Sequence, residues 1–217
     1  MSLKGLQSLI TQYENAGGGG DFIKTGWIKG LKDDGDTIQG RILLKGKTGV
    51  DELGNPTYDL PVYEVHQNIQ IDGYNRDVNC IGDGCPYCLD GDHPSLKVYI
   101  PIKPNTVAEK DPVIQIWKRG LGDIKKIISL IEEYGDLNAR DWKIKRIGKK
   151  GNTKTTYEFY PKDKEAAELP EIPEILGKKS WFVLDLTAEE MIQAKNGQFT
   201  LKNDTPAEPQ GETPSTF

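Results

Sequence analysis

Outside residues 80–88 the chain contains no cysteine, and within them it has three. An odd number confined to one loop excludes a disulfide framework, because no bridge can tie that loop to the rest of the fold. No apolar run approaches the length of a membrane span. The first residues also lack the charged-then-apolar pattern of a secretory signal, so a protein of a reducing cytoplasm, without membrane contact, is expected. No Walker loop, dinucleotide fingerprint, nucleophile elbow or zincin helix occurs, which removes the enzyme classes those motifs mark. An excess of positive charge is missing too. With 28 Lys and Arg against 33 Asp and Glu, an anionic partner must be met by a local concentration of cations.

What is present begins with "CIGDGCPYCLDGDH", residues 80–93. The spacing Cys80-x4-Cys85-x2-Cys88 contains a C-x2-C turn, stiffened by Pro86, that aims two thiolates at one ion. Three soft ligands need one more to complete the tetrahedron of a structural zinc. There are two histidines to supply it. His66 enters, and Cys80 leaves, a hairpin that turns at Asp72-Gly73. The two are nearly equidistant from the turn, so pairing brings them side by side. His93, just beyond Cys88, is the local alternative. A redox C-x2-C expects a βαβ setting that is absent here, and an incidental core thiol suits a loop richer in apolar neighbours. Four protein ligands leave no open position for water, so a structural rather than a catalytic zinc is expected.

Periodicity predicts a mainly β (α+β) chain. "LKGLQSLITQYENA" has the spacing of a short helix and "GGGG" at 17–20 reads as its hinge. "GDTIQGRILL" alternates as a strand, "TGVDELGNPT" reads as a turn-rich loop, and "YDLPVYEVHQNIQIDGYNRDVNC" as a hairpin. "LKVYIPI" and "VIQIWKR" are strand-like. "LGDIKKIISLIEEYG" has apolar residues at 121, 124, 127, 128 and 131, a helix stopped by Gly135. "DWKIKRIGKKGNTKTTYEFYP" reads as a hairpin with a basic tip. "KDKEAAELPEIPEILGKK" is an acidic linker with room for one helical turn, "SWFVLDL" a last strand, and Thr187 caps a helix over 188–195. Seven or eight short strands with one central helix fit an oligonucleotide/oligosaccharide-binding (OB) barrel. The expected organisation is a helix and hinge over 1–20, a core over 21–202 with an inserted zinc subdomain near 62–93, and a disordered tail over 203–217.

Cations and aromatics interleave where the strands end. Residues 140–154 carry Arg140, Lys143, Lys145, Arg146, Lys149, Lys150 and Lys154 against Asp141 alone. Trp142 and Tyr157 flank the basic tip, and Trp117, Lys118 and Arg119 lie on the preceding strand. Rings that stack on bases and cations that track phosphates are what a single strand requires. Arg41, Tyr63, Tyr74 and Tyr99, on other strand-like runs, complete the expected contact set. The alternative is a solvated hairpin whose tryptophans belong to the core. After Lys202 the tail has no cation and carries Asp204, Glu208 and Glu212. It is expected to compete with phosphates for a basic groove or to dock replication and recombination proteins, the alternative being a plain solubilising terminus.

The order of these features resembles the single-stranded DNA-binding proteins of tailed bacteriophages, relatives of the T-even helix-destabilising protein. The likeness spans roughly residues 22–186 and is carried by His66, Cys80, Cys85, Cys88 and the run from Arg146 to Pro161. It implies an OB fold with an inserted His-Cys-Cys-Cys zinc subdomain and an acidic tail, and it supports His66 as the fourth ligand. It further implies non-enzymatic, sequence-independent coating of single strands, with self-association on DNA, during phage replication, recombination and repair in the host cytoplasm. An RNA-binding translational regulator on the same fold, a zinc-dependent nucleic-acid enzyme and a structural virion protein are the alternatives. The deaminase signature is incomplete: Pro86 lies inside the C-x2-C pair, and Gln67 and Asn68 follow His66 where a catalytic Glu is needed.

Overall fold

The computed structural model describes residues 25–201, apart from Lys29, Lys110 and residues 151–154. The expected helix and hinge of residues 1–20, the tail of residues 203–217 and Lys154 lie outside the described residues. In chain order the strands are β1 (Thr25–Trp27), β2 (Thr37–Ile42), β3 (Lys47–Val50), β4 (Pro56–Tyr58), β5 (Val62–Ile71), β6 (Tyr74–Asn79), β7 (Ser95–Pro104), β8 (Ile114–Gly120), β9 (Arg140–Ile147), β10 (Thr156–Lys164), β11 (Leu176–Gly177) and β12 (Val183–Leu184). The helices are α1 (Pro86–Leu89), α2 (Leu121–Tyr134) and α3 (Ala188–Lys195). None of these helices is long and apolar enough to cross a membrane.

The chain divides into two compact units. Of the described residues, one unit holds those up to Leu60 and Tyr99–Pro173; the other holds Pro61–Val98 and those from Glu174 onward. The segment after Glu174, read from sequence as part of a single core, thus belongs with the cysteine loop.

In the first unit the strand order is β10-β9-β2-β7-β8-β1. Pairing is antiparallel from β10 through to β7 and parallel between β1 and β8. Gly40 lies between Pro104 and Trp142 in register, and a Cβ there would sit 2.4 Å from the Lys103 carbonyl oxygen. Only glycine lets the strands approach so closely. Helix α2 buries Ile124, Ile127 and Ile131, one stripe of the predicted spacing. Gly135 ends it at φ 75°, where its N–H reaches the Ile131 oxygen at 2.9 Å.

No backbone ladder joins β10 to β8 among the described residues, so the expected barrel is not closed by strand pairing. Side chains span the gap instead. Trp117 on β8 meets Tyr157 on β10 edge-on, with ring centroids 4.7 Å apart, and Arg119 donates to the Tyr157 hydroxyl at 3.2 Å. The segment expected as a loop, "TGVDELGNPT", forms the hairpin β3–β4. Asp51 ties its turn by accepting the Leu53 and Asn55 amides at 2.9 and 2.8 Å, an Asx-type turn that the backbone can adopt without further support. The expected helical turn in the acidic linker is absent.

The second unit runs β7-β5-β6-β12-β11, with β7 contributing Ser95–Val98. Antiparallel pairing joins β7, β5 and β6, and parallel pairing adds β12 and β11. The β5–β6 hairpin turns on Asp72 at φ 52° and Gly73 at φ 80°, the two left-handed positions of a type I′ turn. Ile71, Val78, Leu184, Leu186, Met191 and Ala194 form its core. Thr187 caps α3 as predicted: its hydroxyl accepts the Glu190 amide at 3.3 Å while the Glu190 carboxylate accepts the Thr187 amide at 2.7 Å.

Candidate metal centre

A regular hairpin turning at Asp72-Gly73 would place His66 opposite Asn79 and point it away from Cys80. The register shows otherwise. Ile69 pairs with Arg76, but His66 pairs with Val78, so Gln67 and Asn68 together oppose Asp77. Asn68 adopts φ 62°, the left-handed conformation that asparagine tolerates better than most residues. This one-residue bulge shifts the alternation of β5, and a shift of one residue exchanges the two faces of a strand. His66 consequently shares a face with Val78 and Cys80. The Cys80 amide donates to the Glu64 carbonyl at 2.7 Å, which extends the hairpin by one rung and holds the first thiol in place.

The other two thiols come from a tight turn. The Cys85 amide donates to the Gly82 oxygen at 3.1 Å, and the Leu89 amide donates back to the Cys85 oxygen at 3.0 Å. Cys85 is thus the N-cap of α1, with Pro86 at the first helical position. The ligand atoms of His66, Cys80, Cys85 and Cys88 all lie within 4.8 Å of one another. The Cys85 and Cys88 sulfurs stand 3.3 and 3.6 Å from His66 Nε2, and the Cys80 and Cys88 sulfurs 3.6 Å apart. Zinc–sulfur and zinc–nitrogen bond lengths imply tetrahedral edges of about 3.5–3.8 Å. The donor set and its spacing fit a metal such as zinc. His93 is exposed and is not part of the cluster.

Asp92 supplies what the sequence reading missed. Its carboxylate lies 3.0 Å from His66 Nδ1. An ionised carboxylate only accepts, so Nδ1 carries the proton and Nε2 turns its lone pair to the thiols. The signal lies within residues 80–93, where Asp92 directly precedes His93. Asp92→Ala is expected to weaken metal binding by roughly 10- to 100-fold, measured by competition with a chromophoric chelator. Unchanged affinity would show that the carboxylate does not orient the ring.

Burial pushes the Cys85 thiol up, but the Cys88, Tyr87 and Ile81 amides outweigh it and draw the group down to about 7. Burial, and then the neighbouring Cys80 and Cys85, push Cys88 up to about 12. Crowded thiols cannot all ionise without a cation, so metal binding must displace protons. Helix α3 supports the loop from below. Met191 and Ala194 pack in the core that contains Cys85 and Tyr87, and Lys195 donates to the Pro86 carbonyl at 3.2 Å and pairs with Asp90.

The residues expected to hold a single strand are placed unevenly. Arg41, Tyr99, Trp117, Trp142 and Tyr157 are interior, each no more than 5% exposed. Arg41 is bound to Asp141 at 2.8 Å and to the Glu165 carbonyl at 3.0 Å. The Trp142 indole N–H donates to the Leu137 carbonyl at 2.8 Å. A ring without an exposed face has none to offer a base, and these side chains serve the core because the β strands carry their apolar alternation there. Arg119 pairs with Asp123 at 2.8 Å, and Arg146 bonds the Tyr157 hydroxyl at 3.0 Å and the Leu31 and Gly148 carbonyls.

Lys118, Lys145 and Tyr63 are half-buried, whereas Lys149, Lys150 and Tyr74 are exposed. On β9, Trp142 and Ile144 point inward, and Lys143 and Lys145 alternate with them on the other face. Lys143 lies beside Gln39 and Tyr160, and Lys145 beside Thr37 and Glu158. Compared with protein-family models, curated proteins and solved structures, the chain matches none.

Proposed function

We propose that the protein binds single-stranded DNA without base specificity and without catalysis, as a phage replication, recombination and repair protein, with a structural zinc held by His66, Cys80, Cys85 and Cys88. The observation that carries this reading is the cationic outer face of β9. Lys143 and Lys145 alternate with the buried Trp142 and Ile144 and lead to the exposed Lys149 and Lys150 at the strand's end, and the exposed Tyr160 stands beside Lys143. Cations in line on a strand suit a phosphate backbone, and an exposed ring suits a base. The strand order supports an OB-type barrel for the first unit. Numbered within these five strands in chain order, β10-β9-β2-β7-β8 is 5-4-1-2-3, with α2 between the third and fourth, and OB barrels are commonly left partly open. The zinc, when bound, neutralises clustered thiolates and fastens the loop; the chain's own cations and rings meet the strand.

The test is anisotropy of a fluorescent oligo(dT) titrated with metal-loaded full-length protein over a salt series. Binding should weaken steeply with salt, with a slope of about −0.7 per phosphate contacted. The double change Lys149→Glu and Lys150→Glu should weaken binding to all base compositions alike. Equal affinity for oligo(U) would favour the RNA-binding alternative, and normal binding by the double variant would remove the basic face from the site.

A further inference from the structure

The second unit exposes two aromatic rings that its core does not need. Trp181 is 53% and Tyr74 58% exposed, and their rings meet edge-on with centroids 6.0 Å apart. Between them lies Arg76, only 8% exposed. Its guanidinium carbon is 4.0 Å from the Trp181 ring centroid and 5.5 Å from that of Tyr74. Its Nε is buried without a hydrogen-bond partner, and its NH1 reaches the Trp181 carbonyl at 3.4 Å. Among the described residues Arg76 makes no ion pair, although Asp72 is near enough to act on its charge. Burying a guanidinium with so little hydrogen bonding is costly, and that cost is offset here by two aromatic faces.

Trp181 does not face solvent for want of anchoring. Ser180 and Phe182 on either side are 7% and 3% exposed, so the chain alternates inward, outward, inward. The Ser180 hydroxyl donates to the Ile175 carbonyl at 2.6 Å and accepts the Phe182 amide at 3.1 Å. The turn holds the indole outward with one face on a cation, and Lys179, two residues earlier in the chain, is exposed. A fixed ring backed by a guanidinium, with an ammonium close by in sequence, matches what an unpaired base and its phosphate require.

We infer that Trp181 and Tyr74, braced by Arg76, form a stacking site for an unpaired nucleobase on the unit that carries the metal cluster. This rests on the single-strand reading above. In the full-length, metal-loaded protein, Trp181→Ala should lower affinity for oligo(dT) on the order of 10- to 100-fold. The slope of log affinity against log salt should stay unchanged, because no phosphate contact is removed. Trp181→Phe should recover part of the loss, and Tyr74→Ala should weaken binding in the same sense with metal content unaltered. If both alanine variants bind as wild type does while the Lys149 and Lys150 double variant is weakened, the stacking site is wrong and the single-strand reading stands. A shallower salt slope for Trp181→Ala would also overturn it, since the ring would then be acting through phosphate-binding cations. Wild-type protein that fails to bind oligo(dT) overturns the reading and this inference together.

Discussion

Cys85→Ser is expected to lose the metal and to disorder the loop from Cys80 to His93. The serine oxygen is a shorter and harder donor than thiolate, and Cys85 is fully buried against Tyr87, Leu184 and Met191, so nothing nearby can replace it. Structural zinc binds zinc-finger peptides with about 10–16 kcal/mol, comparable to the whole stability of many domains. Loss of a ligand therefore reaches beyond the loop into the core that Cys85 shares with α3. Metal analysis should fall from one ion per chain toward none, and amide exchange should accelerate across 80–93, with chelated wild type behaving alike. His93→Ala should keep its metal. Affinity should also fall as pH falls. Cys85 lies at about 7 and Cys88 at about 12 without metal, so protons compete for both thiolates, and more strongly as acid is added. A Cys85→Ser protein that retained one tightly held ion would show that the four-residue cluster is not the site.

Asn68→Val is expected to weaken metal binding although Asn68 is not one of the four cluster residues. Valine resists the φ of 62° found there, at a cost of about 1–3 kcal/mol. The strand can relieve that strain by straightening, and a straight β5 points His66 to the face opposite Cys80. Losing a ligand should cost metal affinity more than the roughly 10- to 100-fold of a supporting group. Deleting Asn68 should do little by comparison. Without it His66 stands two residues before Ile69, on the same face and still opposite Val78. Chelator competition on the two variants separates these outcomes. Equal loss in both, or none in Asn68→Val, would show that the bulge does not set the position of His66.

Much of this arrangement was legible in the order of residues. The thiol spacing, Pro86 in the C-x2-C turn and the Asp-Gly hairpin pointed to the cluster, with His66 ahead of His93, because each acts over a few neighbouring positions and local backbone geometry decides it. The α2 stripe, its Gly135 stop and the Thr187–Glu190 capping box are likewise local. Equidistance from the turn brought His66 near Cys80 but not onto its face, since a bulge depends on pairing along a whole ladder and only the fold reveals it. The division between core and contact rings was not legible either. Trp142 and Trp181 both follow a polar residue in strand-like runs, yet one is buried beside Tyr134 and bonds Leu137 while the other is held outward by Ser180. The role of α3 beneath the cysteine loop also came only from tertiary structure, as Met191 and Cys85 are far apart in sequence. Spacing determined which residues could bind a metal; long-range packing decided which face they share and which aromatics remain in solvent.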